Sequence, residues 1–255
     1  KNKNKNKNMN DKKIYKRICA LVTAAVAVIG TSACGAADER VSVADTDDTL
    51  RIVTTIFPEY DWVMNILGED LAEAAEVTLL LDDGVDLHNY QPTADDMLKI
   101  AGCDLFIYVG GESDKWVKDA LNTVGSDKMT VLNLLDLLGD AAKEEETAAG
   151  MEGSDDSDAA GSRANDTEFD EHVWLSLKNA ALFVDCIAEA LGNLDGANAD
   201  TYRANAASYT EKLNALDIRY MNTVSGAPVK TLLFADRFPF RYLTDDYGLD
   251  HYAAF

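Results

Sequence analysis

Two of the three histidines in this 255-residue chain stand in short segments rich in turn-forming residues. His88 lies in GVDLHNYQPTADD, residues 84–96, and His172 lies in EHVWLSLKNA, residues 171–180. A neutral imidazole nitrogen is a preferred ligand of Zn²⁺, so the two histidines are candidates for one metal site. Histidine binds a metal only when it is unprotonated, which predicts an affinity that falls with pH. Taken alone, each is more simply interpreted as a solvated loop residue.

The segments around these histidines alternate between strand and helix patterns. Short apolar runs rich in β-branched residues predict four strands, at residues 50–55, 76–81, 104–111 and 129–135. Helical patterns follow the first three runs, at residues 58–67, 94–101 and 116–122. Gly68 is placed to end the first of these helices, and Thr93 to begin the second. The order predicts a parallel sheet covered by helices, and ligands usually bind at the carboxyl edge of such a sheet.

The N-terminal residues have the pattern of an export signal. Residues 1–34 comprise an extension before Met9, a basic region, an apolar stretch at residues 18–29 and small residues before Cys34. The apolar stretch is shorter than the roughly 20 residues of a membrane span. Two endings stay open: ordinary cleavage before Cys34, or a lipobox in which the Cys34 thiol takes a diacylglycerol. The lipobox is favoured because residues 35–49 suit a flexible tether, and either ending predicts an exported protein.

Net charge and cysteine content limit the classes of binding partner and the roles open to the cysteines. The formal net charge is −22, and beyond Cys34 there are 15 basic residues against 44 acidic ones. This balance argues against nucleic acid and anionic lipid as partners, because both would repel the chain. Acidity attracts cations, although by itself it more often serves solubility. Cys103 and Cys186 lie in apolar segments, which favours buried hydrophobic residues over a metal pair or a disulfide.

The rest of the chain divides into an acidic insertion, two helices and the start of a second sheet. Residues 140–171 hold twelve acidic and two basic residues, a composition typical of a disordered surface insertion. Helical spacing returns at 177–191 and 200–224, and a new strand pattern follows at 229–236. A second lobe of this length cannot bury a core alone, so we expect it to be incomplete in this sequence. The predicted divisions are an N-terminal αβ metal-binding lobe at 50–195, a linking helix at 196–226 and a second lobe at 227–255.

Three stretches together resemble the zinc/manganese substrate-binding proteins of bacterial ABC importers. They are TTIFPEYDWVMNILGED, GVDLHNYQPTADDMLKIAGCDLFIYVGGESDKWV and EHVWLSLKNA. The resemblance covers about residues 50–255 apart from the acidic insertion. It implies an α/β fold of two αβ lobes with parallel sheets, joined by a long rigid helix, with the metal bound between the lobes. Members are often lipoproteins, which agrees with the lipobox at Cys34.

The resemblance also implies metal ligands, position by position. The motif histidines fall on His88 and His172. The third family ligand is a histidine after the first strand of the second lobe, and its position is occupied by Arg237, whose guanidinium has no free lone pair. Asp236, one residue earlier, could supply an oxygen instead. His251 is a late alternative, although it lies in the final strand-like run and matches no family ligand. A fourth ligand, an acid, would lie beyond the end of this sequence.

The function implied by the resemblance is capture and delivery of a metal. The protein would bind Zn²⁺, or Mn²⁺, as its transported ligand and hand it to an ABC permease with its ATPase. We expect a monomer without catalytic activity, held at the membrane by the lipid on Cys34. The acidic insertion falls where family members often carry a histidine-rich loop, yet it contains no histidine, so it is a solvated excursion or a weak carboxylate site. Two other classes stay open: a metal-stabilised surface adhesin, and a zinc-dependent hydrolase, against which the lack of an H-E-x-x-H motif counts.

Overall fold

The computed structural model describes residues 49–82, 84–125, 129–145, 168–235 and 237–254. The predicted signal segment with Cys34 lies outside these ranges, as does Asp236. Within them, no helix combines the length and the apolar character needed to cross a membrane.

Four parallel strands form the sheet of the first lobe. They are β1 (Arg51–Thr54), β2 (Glu76–Leu79), β3 (Leu105–Tyr108) and β4 (Thr130–Asn133). Their order across the sheet is β2-β1-β3-β4, so the chain winds one way from β1 to β2 and then crosses back to β3. The predicted parallel sheet is confirmed. In such sheets the crevice at the reversal, outside the carboxyl ends of β1 and β3, is the usual place for a ligand.

Helices follow the strands and cover the sheet. They are α1 (Phe57–Ala72), α2 (Ala94–Ala101), α3 (Lys115–Val124) and α4 (Leu134–Leu138). Gly68 interrupts α1 where the sequence predicted its end, with a φ of 70°, but one more turn follows. The side-chain amide of Asn205 donates to the carbonyl of Ile66 at 3.0 Å. At the kink, backbone carbonyls lose their partners within the helix. The Asn205 amide replaces one of these hydrogen bonds, so the helix can continue for another turn.

The two central strands are buried on both faces. Ile52 and Val53 in β1 and Phe106 in β3 are almost inaccessible to solvent. Trp62 from α1 packs against Phe183 with ring centroids 5.6 Å apart. A parallel sheet covered by helices on both sides requires continuous apolar runs, which is why these strands were recognisable from the sequence.

Two long helices link this sheet to a smaller one. α5 (Leu177–Leu194) packs on the first lobe, and α6 (Ala199–Gly226) extends for 28 residues. Near its start α6 buries Tyr202, whereas Ile218 farther along is exposed. The elements that follow form a parallel βαβ unit: β5 (Thr231–Phe234), α7 (Arg241–Tyr247) and β6 (Asp250–Ala253). The predicted architecture of two αβ lobes joined by a long helix is confirmed.

Cys103 is a free, buried thiol, whereas Cys186 in α5 is only partly buried, so the predicted burial holds for Cys103 alone. Cys103 is buried just beyond α2, and burial raises its pKa to about 12 because the thiolate cannot be solvated there. It is therefore an unreactive core residue at neutral pH.

The structure describes both ends of the acidic segment predicted at 140–171, namely residues 140–145 and 168–171. Glu144 and Phe169 form an antiparallel bridge between these two ends. Residues 146–167 lie outside the described ranges. Residues 140–145 and 168–171 are therefore part of the fold, contrary to the prediction for the whole segment, and Glu171 lies in the candidate site.

Candidate metal centre

His88 lies in the loop that follows β2, beyond the carboxyl end of that strand. A turn of 3₁₀ helix, Leu87–Asn89, carries it. The carboxylate of Asp86 accepts a hydrogen bond from the backbone N–H of His88 at 3.0 Å, and Leu87 is buried. These contacts fix the loop backbone, while the imidazole side chain stays 37% exposed and accessible from solvent.

His172 is held by a similar turn. Oδ1 of Asp170 accepts a hydrogen bond from the backbone N–H of His172 at 2.8 Å, and the buried Val173 anchors the residues that follow. The ring of Trp174 lies 5.4 Å from the imidazole, centroid to centroid. Both histidines thus follow an Asp-x-His pattern, in which the aspartate caps the backbone two residues on. That pattern is visible in the sequence, and it is the signal that could have identified Asp86 and Asp170.

The structure brings the two imidazoles side by side. The ring centroids of His88 and His172 are 5.6 Å apart, and the ring planes are inclined by 59°. Two imidazoles on one tetrahedral zinc, with Zn–N distances of about 2.0–2.1 Å, would place their centroids about 5 Å apart. The observed distance between the ring centroids is therefore only slightly longer than the distance expected for two imidazoles bound to one zinc ion.

Hydrogen bonds determine which nitrogen of each ring is available. Nδ1 of His88 lies 2.9 Å from Oγ of Ser113, and Nδ1 of His172 lies 3.0 Å from Oδ1 of Asp170. A carboxylate oxygen can only accept, and the Ser113 hydroxyl already donates its hydrogen to Glu171, so both Nδ1 atoms are donors. Each neutral ring then carries its lone pair on Nε2, which is the nitrogen left for a metal.

Glu171 connects the loop that supports His88 to the segment that carries His172. Its buried carboxylate accepts hydrogen bonds from the backbone N–H of Ser113 at 2.6 Å and from the Ser113 hydroxyl at 2.5 Å. Oε2 lies 3.8 Å from Nδ1 of His88, too far for a direct hydrogen bond. The sequence placed Glu171 in the acidic insertion, so this role was missed. Only its contact with the loop after β3 reveals it.

A second pair of acids is buried just after β1 and β3: Glu59 lies in the first turn of α1, and Asp114 directly precedes α3. The carboxyl group of Glu59 accepts hydrogen bonds from the N–H groups of Thr55 and Ile56 at 2.8 and 3.2 Å. Asp114 accepts one from the N–H of Gly110 at 2.9 Å. Burial raises the pKa of Glu59 to about 8 and that of Asp114 to about 6, because neither carboxylate is solvated. Glu59 is therefore protonated at neutral pH.

The other predicted ligands do not complete the site within the described ranges. In those ranges no group of three His, Cys, Asp or Glu side chains is arranged to hold one ion. Arg237, exposed after β5, stands where the third ligand was expected, and Asp236 falls outside the described residues. His251 lies in β6 with its ring stacked on Phe238, centroid to centroid 3.7 Å. Of the predicted ligands in the described ranges, only His88 and His172 lie side by side.

Comparison with known proteins decides the family. Residues 52–255 match the sequence profile of the ZnuA family, described as zinc-uptake complex component A, periplasmic. The chain belongs to this family. The ZnuA match includes both histidine loops and reaches into both lobes.

Sequence matches to individual proteins extend over most of this chain. The zinc-binding lipoprotein AdcA of Streptococcus pneumoniae serotype 4 is 35% identical over 208 residues, which are 81% of this chain and 39% of AdcA. The high-affinity zinc uptake system protein ZnuA of Bacillus subtilis is 28% identical over 236 residues, which are 92% of this chain and 70% of that protein. The chain therefore matches only 39% of the length of AdcA.

The fold is also similar to solved structures of such proteins. The crystal structure of Zn(II)-bound AdcA from Streptococcus pneumoniae matches with a TM-score of 0.64 at 31% identity, over 80% of this chain and 39% of that one. The metal-dependent lipoprotein YcdH from Bacillus subtilis matches with a TM-score of 0.64 at 28% identity, over 80% and 67%. This chain therefore shares the ZnuA-type fold.

Proposed function

We propose that this protein captures Zn²⁺ outside the cytoplasm and delivers it to an ABC permease that works with an ATPase. One observation carries the proposal: two imidazoles lie 5.6 Å apart, each with Nδ1 engaged and Nε2 left for a metal. His88 and His172 are the first two ligands, and Asp236 is the candidate for a third. The zinc-binding and zinc-uptake names of the AdcA and ZnuA relatives support zinc as the cargo.

Donor chemistry favours Zn²⁺ over Mn²⁺. Imidazole nitrogen suits zinc, whereas Mn²⁺ prefers sites made of carboxylate, carbonyl and water oxygens. The two proposed donors in the described ranges are both nitrogens. We therefore expect Zn²⁺ to displace Mn²⁺ in a competition titration, and preferential retention of Mn²⁺ would overturn the metal assignment.

The site is suited to holding an ion rather than to hydrolysis. A hydrolytic zinc site needs an open coordination position and a general base near the bound water. The carboxylates beside the histidines, Asp170 and Glu171, already accept hydrogen bonds from His172 and Ser113. They orient the ligands, so the ion is cargo and the protein acts by capture and release.

Export and anchoring complete the proposal. We place the mature protein as a monomer on the outer face of the cell membrane, held by a lipid on Cys34. The lipoprotein name of the AdcA relative supports this arrangement. Radiolabelled fatty acid should be incorporated by the wild type and not by Cys34→Ala, and labelling of both would refute the assignment.

Zinc titration of the full chain tests the ligand pair. Changes that only touch the partners of metal ligands weaken binding by about 10–100-fold, so removal of a ligand should weaken it more. His88→Ala and His172→Ala should each show that loss. His251→Ala is the matched control, because it removes the third described histidine, which stacks on Phe238, and it should bind as the wild type does. Wild-type zinc affinity in both site variants would refute the proposal.

Delivery is tested separately in cells. A strain that depends on this protein should need more added zinc in chelated medium when its only copy carries His88→Ala. Equal growth of that strain and the wild type would contradict a role in uptake, even if the purified protein binds zinc.

A further inference from the structure

We propose that Glu171 is a positioning residue that acts through Ser113 to hold His88 in the tautomer with a free Nε2. The proposal rests on the proposed metal-binding function. It concerns a side chain that makes no direct hydrogen bond to His88, since its carboxylate oxygen Oε2 lies 3.8 Å from Nδ1 of that ring. Its effect is transmitted by one hydroxyl group.

The Glu171 carboxylate, which can only accept hydrogen bonds, determines the direction of each hydrogen bond from Glu171 through Ser113 to His88. Oε1 of Glu171 accepts from the backbone N–H of Ser113 at 2.6 Å, which fixes the carboxylate. Oε2 then accepts the only hydrogen of the Ser113 hydroxyl, at 2.5 Å. Oγ of Ser113 can therefore only accept from His88, whose Nδ1 lies 2.9 Å away and must carry the proton. The lone pair of the neutral ring is left on Nε2.

The surroundings of Glu171 indicate that its charge serves this relay rather than the stability of the fold. The residue is buried, and its charge also helps to raise the pKa of the buried Asp114. Burial of two neighbouring acids opposes folding, and an apolar residue would fill the same space at lower cost. Gly111 adds a second observation, because a Cβ atom there would lie 2.5 Å from Oε1 of Glu171. The loop is thus shaped to admit this carboxylate.

Glu171→Gln provides a sharp test because it reverses the relay with almost no change in shape. The backbone N–H of Ser113 requires an acceptor, so the glutamine oxygen must face it. The glutamine NH₂ group then faces Oγ and donates to it, and the Ser113 hydroxyl turns to donate to Nδ1 of His88. The proton of the imidazole moves to Nε2, where it blocks the metal.

The readout is the tautomer of His88, measured by ¹⁵N NMR of the imidazole in the metal-free full chain. The wild type should show the Nδ1–H form and Glu171→Gln the Nε2–H form, with zinc affinity reduced by about 10–100-fold. Glu112→Gln is the matched control, because the same charge is removed one residue before Ser113, at an exposed side chain paired with Lys115. It should leave both the tautomer and the affinity unchanged.

A second variant guards against a purely structural effect. Ser113→Ala removes the relay itself, so adding Glu171→Gln to it should reduce zinc affinity no further. An unchanged His88 tautomer in Glu171→Gln, or losses that add in the double variant, would overturn the inference. A wild type that fails to bind zinc would instead refute the proposed function, and the tautomer measurement would still decide the relay.

Discussion

Gly111 and Glu171 meet so closely that a Cβ atom on the glycine would lie 2.5 Å from Oε1 of the glutamate. The glycine belongs to the loop after β3, which supports His88 through Ser113. The glutamate belongs to the segment that carries His172. The two halves of the histidine pair are therefore held together across a position that has no room for a side chain.

Gly111→Ala should weaken zinc binding by about tenfold or more, because the new methyl group displaces Glu171 from Ser113. The φ of 82° at this position also strains alanine, by about 1–2 kcal/mol. Gly125→Ala controls for the strain alone, since Gly125 has a φ of 77° and nothing lies within 4 Å of its added Cβ. Both variants should lose stability in urea unfolding, but only the first should lose zinc affinity by calorimetry. Equal affinities would contradict the role of this contact.

Tyr242→Phe should lower both stability and zinc affinity. The hydroxyl of Tyr242 accepts from the backbone N–H of Lys143 at 2.9 Å and donates to the carbonyl of Asp170 at 3.1 Å. Its loss removes a partner from the partly buried N–H of Lys143 and from the buried carbonyl of Asp170, at a cost of about 1–3 kcal/mol, and frees the residue that orients His172. Tyr247→Phe is the control in the same helix, because its hydroxyl bonds to Asp217 instead. If both variants bind zinc equally well, the link from α7 to His172 is wrong.

Glu59 should make the folded state less stable as pH rises. Its pKa is about 8 in the folded protein against 4.5 for an exposed glutamate, so between these values only the unfolded chain ionises. The unfolded state then binds fewer protons, and rising pH favours it. Glu59→Gln is neutral at every pH, so its free energy of unfolding should rise relative to the wild type between pH 5 and pH 8. The gain should reach several kcal/mol, at about 1.4 kcal/mol for each pH unit.

Urea unfolding across that pH range measures the effect. Glu69→Gln, an exposed acid on the same helix, should give a profile parallel to that of the wild type. A Glu59→Gln profile that also runs parallel to the wild type would show that the buried carboxyl does not remain protonated.

Thr93→Ala should destabilise the lobe by about 1 kcal/mol through the loss of a helix cap. The Thr93 hydroxyl accepts from the N–H of Asp96 at 3.2 Å and donates to its carboxylate at 2.7 Å, at the start of α2. Thr123→Ala is the control, because that hydroxyl only bonds back to the carbonyl of Asp119 within α3. Its effect should stay within about 0.5 kcal/mol, and equal losses in the two variants would argue against the cap.

Local pattern predicted the elements of the first lobe well. The apolar runs at the sheet centre, the positive φ at Gly68 and the cap at Thr93 all depend on residues close in sequence. The continuation of α1 past Gly68 was missed because it is stabilised by Asn205, which arrives from α6. Sequence periodicity carries no information about such a partner.

Neighbouring residues suffice to specify the alternation of strands and helices and the two Asp-x-His turns. The resemblance to known receptors then pointed to His88 and His172. The 5.6 Å between their rings, and the orientation of the His88 ring by Ser113 and Glu171, depend on contacts between segments far apart in the chain. The reason is physical: a tautomer is selected by hydrogen-bond partners, and these come from separate loops that meet only when the sheet and the helices around it have packed.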